Sequence, residues 1–125
     1  LFYRLCPFFL MQFLIKEIVT PQYFSSWTKS SSKWKRRAVP VTFIEIVKKG
    51  ASISQLLKII DPLMPDSEKF VQKGLGWFLR EAWKIHPEKV EDYLIKWKER
   101  CGRTIVQYAT EKMDKEYRKR FARSK

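Results

Sequence analysis

The chain has 125 residues, enough for a single domain with one core and too few for a two-domain enzyme. Its residues are 45% hydrophobic and 15% aromatic, which excludes intrinsic disorder, and four Gly with six Pro exclude collagen-like and low-complexity classes. The 26 Lys and Arg outnumber 13 Asp and Glu, and this formal charge of +13 points to a polyanionic partner, because clustered cations release counterions from a phosphate backbone. Two cysteines, Cys6 and Cys101, are too few for a disulfide scaffold or a structural zinc site and are expected as buried thiols in a reducing, intracellular compartment. A lone histidine, His86, excludes a His-rich metal centre, and neither a metal nor a cofactor is expected.

Apolar spacing is helical nearly throughout, with no alternating strand run. A first helix is expected over Pro7 to Ile18. The apolar start, Leu1 to Ile15, is short of the ~20 residues that span a bilayer, and Gln12 and Lys16 interrupt it, so no membrane segment is expected. The chain opens on Leu1 rather than Met, as a piece of a longer protein would, and its first helix then belongs to the buried interior of that protein.

Thr20-Pro21 restart the chain into a short helix holding Tyr23, Phe24 and Trp27. A longer helix follows from Lys33 to Lys49, with Pro40 inside it and Gly50 placed as a left-handed terminator. Ser52 or Ser54 caps a helix through Leu56, Leu57, Ile59 and Ile60 that stops at Pro62. Asp66 or Ser67 caps the longest helix, from Glu68 to Ile85, ended by His86-Pro87. Pro87 starts a helix through Val90, Tyr93, Leu94 and Trp97. Gly102 breaks it, and Thr104 opens a last amphipathic helix reaching Met113. Residues 114–125 read as a basic tail that frays, outside a helical domain over 1–113. Helices in antiparallel pairs with short connections predict an all-α fold, an α-solenoid of helical repeats or a compact bundle.

The helix after Glu68 carries the strongest signal. Leu75, Phe78, Leu79 and Ala82 form its apolar stripe. Lys73, Trp77, Arg80 and Lys84, spaced i, i+4, i+7 and i+11, form a second face, an aromatic ring framed by three cations. Trp77 reads either as a core residue beside solvated bases or as a platform against a sugar or base flanked by phosphate contacts. Gly74 and Gly76 each cost roughly 1 kcal/mol within a helix, so close packing is expected there.

The run Phe70-Val71-Gln72-Lys73-Gly74-Leu75-Gly76-Trp77-Phe78-Leu79-Arg80-Glu81 resembles the hallmark segment of the AlkD-like DNA alkylation repair family. The earlier Trp27-Thr28-Lys29-Ser30 and Lys33-Trp34-Lys35-Arg36-Arg37-Ala38-Val39 resemble the Trp-x-x-Arg-Arg-type segment that precedes it in that family. The likeness covers roughly residues 5 to 113, as the C-terminal portion of a family member. It implies a solenoid of HEAT-like repeats, with a basic concave face that binds duplex DNA, alkylated DNA included. It also implies a monomeric glycosylase that excises N3- and N7-alkylated purines. By this resemblance Trp77 is the lesion-cleft aromatic, Arg80 contacts DNA, and Arg37, with Arg36 as alternative, holds phosphate. Lys73 and Lys84 would contact or steer the backbone, while Trp34, Trp83 and Trp97 pack. The family's catalytic Asp has no counterpart, since Tyr3 stands at its position and no acid precedes Glu17. Two other readings keep the helices. One is a catalytically silent DNA-binding relative, the other a helical-repeat scaffold for an acidic protein.

Overall fold

The computed structural model describes residues 20–124, and there the fold is all-α, with no strand among the described residues. The helix expected over Pro7 to Ile18, Cys6 and the Tyr3 position lie outside that range. A 3-10 segment, η1 (Pro21–Lys29), leads into α1 (Lys33–Lys48), α2 (Ile53–Ile60), α3 (Lys69–Trp83), α4 (Pro87–Trp97), α5 (Arg103–Ala109) and α6 (Lys115–Arg118). Short 3-10 turns, η2 (Asp61–Leu63) and η3 (Lys119–Phe121), follow α2 and α6.

Local chemistry sets most of these boundaries. Ser32 and Ser52 cap α1 and α2 by accepting from the Lys35 and Gln55 backbone N–H groups. Gly50 ends α1 with φ +99, and the Gly50 and Ala51 amides bond the Val47 and Ile46 carbonyls, a Schellman closure. Pro40 sits buried inside α1, which continues through it although the Arg36 carbonyl loses its usual donor.

Three boundaries differ from expectation. Glu68, not Asp66 or Ser67, is the N-cap of α3, because the Asp66 carboxylate is taken by Arg36 and by the Glu68 amide. Helix α5 stops at Ala109, where the Thr110 hydroxyl bonds back to the Val106 carbonyl, so the helix does not reach Met113. The stretch expected to fray instead folds into α6 and η3, and Phe121 joins the core with 1% exposure.

Helices α1, α3 and α5 lie side by side in one layer, and η1, α2, α4 and η3 lie behind them. Contacts run in rising order along both members of each pair. Trp34 meets Phe70, Phe43 meets Phe78 and Lys48 meets Glu81, so α1 and α3 are parallel. In the second layer Ser54, Leu57 and Asp61 of α2 and η2 bond Lys89, Tyr93 and Trp97, at separations of 35, 36 and 36 residues. A near-constant offset of this size is what a helix pair repeated along a stack produces, so the arrangement is compatible with a solenoid. Edge-to-face rings of Phe24, Phe43 and Phe78, with centroids 6.1 and 6.2 Å apart, tie the layers together.

Helix α3 is held closely on both sides. A Cβ on Gly76 would stand 2.4 Å from the Tyr108 Cβ and 3.0 Å from the Ile105 carbonyl of α5. On Gly74 it would meet the Arg37 stem at 3.0 Å and Val41 at 3.3 Å on α1. Gly76→Ala is therefore expected to destabilise by about 1–3 kcal/mol, despite roughly 1 kcal/mol of helix propensity gained. Gly74→Ala, opposed mainly by a flexible arginine stem, should stay within about 1 kcal/mol of the parent. Thermal denaturation of both variants checks this, and equal melting temperatures would refute the asymmetry.

Candidate functional site

The two faces read from the sequence of α3 separate as expected. Leu75, Phe78, Leu79 and Ala82 are fully buried. Lys73 and Lys84 are exposed, Trp77 stands 39% exposed in the same row, and Arg80 is half-buried. A tryptophan this open at the centre of a packed layer is a flat apolar surface presented to solvent between cations.

The two adjacent arginines of α1 have different fates. Arg36 Nε donates to Asp66 at 2.7 Å and its Nη1 to the Ser30 carbonyl at 3.0 Å, which fixes the approach to α3 and uses the charge internally. Arg37 crosses to α3, where its Nη1 donates to the Phe70 carbonyl at 2.9 Å and its guanidinium lies 4.3 Å from the Phe70 ring centroid. It has no carboxylate within ion-pair distance among the described residues. Burial lowers its pKa while facing Tyr108 raises it, and an arginine stays charged regardless. Trp34 packs its ring edge on Phe70 at 4.6 Å while remaining 41% exposed. Trp83 and Trp97 are half-buried and donate their indole N–H groups to Glu91 and Asp61, in covering roles.

The far end of the layer is an ion-pair network. Arg80 Nη1 donates to Glu111 in the turn after α5, and its Nε is buried without a hydrogen-bond partner, 3.6 Å from Glu81. Glu81 also receives Lys84 at 3.0 Å and Lys48 at 3.6 Å. Burial alone would push the Glu81 carboxyl up. The hydrogen bond from Lys84 and the charges of Lys84, Lys48 and Arg80 outweigh burial and hold it below its ordinary value. The face is thus polarised. Lys73 and Arg37 form no ion pair among the described residues at one end, and Arg80 and Lys84 are matched by Glu81 and Glu111 at the other.

Tyr108, Glu81 and Glu111 belong to this constellation but were not singled out from the sequence. The Glu81–Lys84 spacing was a usable local signal. Glu111 lies 31 residues from Arg80, and no local pattern connects them. Among the described residues no group of three His, Cys, Asp or Glu converges to hold a metal, and no helix is long and apolar enough to cross a membrane. The Cys101 thiol is buried and pushed up by that burial.

A family model described as DNA alkylation repair enzyme matches residues 2–113. No curated protein and no solved structure matches the chain.

The network gives a pH dependence whose sign is fixed. A carboxyl lowered in the fold stabilises above its unfolded value, and that contribution is lost as pH falls through the folded value. Glu81→Gln should therefore be less stable than the parent at neutral pH, by at most about 1 kcal/mol for a partly solvated network. The difference should persist down to the ordinary value of 4.5 and close below it. Melting temperatures of both proteins across that range check it, and a gap that widens in acid would overturn the assignment.

Proposed function

The chain belongs to the DNA alkylation repair enzyme family, and from that premise we propose that the α1–α3–α5 layer binds duplex DNA and presents Trp77 to an alkylated nucleotide. The observation that carries this reading is an exposed Trp77 about two helix turns along α3 from Phe70, where Arg37 is fixed with no ion pair among the described residues. Lys73 and Arg37 supply phosphate contacts at the open end of the face, and Arg80 and Lys84 extend them once phosphate displaces their carboxylates. Arg36, already committed to Asp66, positions α1 rather than touching DNA.

The chemistry proposed for this face is excision of N3- and N7-alkylated purines. The alkylated base is cationic and leaves with the electron pair of its bond to C1′ of the deoxyribose. Water adds to the oxocarbenium-like carbon, releases a proton to solvent and yields an abasic site. An aromatic face beside that sugar stabilises the developing positive charge, and a cationic rim holds the flanking phosphates in place. We place the protein inside the cell, acting as a monomer without metal or cofactor, within a stack of HEAT-like repeats.

A second reading, a damage-binding relative without its own catalytic acid, has specific support. The carboxylates along this face, Glu45, Glu81 and Glu111, are each ion-paired to lysine or arginine, and Tyr3 stands where the resemblance expects Asp. Base release from an N7-methylguanine duplex separates the two. Turnover supports the glycosylase, and lesion-selective binding without release supports the relative. Salt-sensitive binding that heparin competes as well as duplex DNA would instead favour a scaffold for an acidic protein.

Binding to a duplex with one stable abasic analogue, against the same duplex intact, tests the residue roles. Trp77→Ala should lose the preference for the analogue by about tenfold, the scale of one aromatic–base contact. Arg37→Gln should weaken both duplexes alike and reduce the salt slope by about one. Equal losses from both variants would refute the division of labour. Glu111→Gln should free Arg80 and tighten binding to both duplexes about two- to fivefold, the yield of a partly exposed ion pair. Weaker binding in that variant would show that Glu111 orients Arg80 rather than competing for it.

A further inference from the structure

A cavity of about 660 Å³ closes the C-terminal end of the stack, on the side of α5 turned away from α3. Its wall carries Lys98, Arg103, Arg118 and Arg123, with Val106 and Phe121 contributing apolar surface. We propose that this cavity is a binding site for a small phosphorylated ligand. It is separate from the Trp77 face and does not rest on the DNA reading.

The charge arrangement carries the inference. None of the four cations forms an ion pair among the described residues. Three of them are oriented by neutral acceptors instead. Lys98 Nζ donates to the Arg120 carbonyl at 3.2 Å, Arg118 Nε to the Thr110 hydroxyl at 3.2 Å, and Arg123 Nη2 to the Cys101 carbonyl at 2.7 Å. These bonds fix the side chains without neutralising them, so like charges are gathered around one volume. Glu99, which accepts the Ser124 amide at 2.8 Å, feels the charges of Lys98 and Arg123 and offsets them in part, leaving an excess of positive charge.

Several arginine forks around one space match the terminal oxygens of a phosphoryl group better than a single carboxylate. The volume falls within the range of small-molecule sites. On α5, Arg103 and Val106 face the cavity, whereas Ile105 and Tyr108 meet α3, so the two sites use different sides of the same helix. The same chemistry reaches the protein as a free nucleoside diphosphate or as the 5′-phosphorylated end of a nucleic-acid strand.

Calorimetric titration of the full chain with inorganic pyrophosphate and with adenosine diphosphate, at low salt, tests the site. Saturable binding below about 10 mM is expected, weakened about fivefold or more in Arg103→Gln by loss of one charged contact. The Arg103 side chain makes no hydrogen bond or ion pair among the described residues, so this variant should melt with the parent; Arg118→Gln then serves as the second test. Lys58→Ala, on α2 and outside both the Trp77 face and the cavity, should leave pyrophosphate binding unchanged. Absence of saturable binding, or equal weakening by Lys58→Ala, would overturn the proposal. A 5′-phosphorylated tetranucleotide that binds tenfold tighter than adenosine diphosphate, with its unphosphorylated form inert, would assign the strand end. The reverse order would assign the free nucleotide.

Discussion

Helix α3 meets α1 at Gly74 and α5 at Gly76, and this double close approach sets where every side chain of the layer can stand. With side chains at both positions the neighbouring helices would sit further out. Arg37 could not lie across α3 to the Phe70 carbonyl, and Tyr108 could not come up beside Trp77's own turn. The two glycines give up helix propensity, and the packing of Leu75, Phe78 and Leu79 beneath them returns it through burial. Because the contact is steric, it constrains position more tightly than any of the exposed ion pairs around it.

Electrostatics then divides the surface that packing has built. Among the described residues one end of the layer keeps Lys73 and Arg37 without an ion pair, and the other matches its cations with Glu81 and Glu111. Uncompensated charge and an exchangeable network thus occupy opposite ends of one face. The same logic separates Arg36 from Arg37. Neighbouring positions on one helix point about 100° apart, so one turns towards Asp66 and the other over Phe70.

Much of this was legible in the sequence because it is written in local chemistry. Gly50, Ser52 and Pro87 mark their boundaries through backbone preferences that need no tertiary partner. The row Lys73–Trp77–Arg80–Lys84 follows from helical spacing alone. What could not be read depends on partners distant in sequence. The choice between Arg36 and Arg37 turns on Asp66, 30 residues away, and the same carboxylate moves the N-cap of α3 to Glu68. Phe121 sits in a run of charges whose only other aromatic is Tyr117 one turn earlier, so its place in the core was hidden until the layers closed on it.

The anchoring of Arg37 has a thermodynamic consequence. A free arginine side chain carries roughly 2 kcal/mol of rotamer entropy, most of which is lost when it clamps a phosphate. Arg37 has already given up that freedom in the folded protein, held between the Phe70 ring, the Phe70 carbonyl and the cleft above Gly74. The loss is borne once, by folding, and is not repeated at each encounter with an anion. A preorganised cation of this kind contributes more to affinity than one mobile lysine of equal charge.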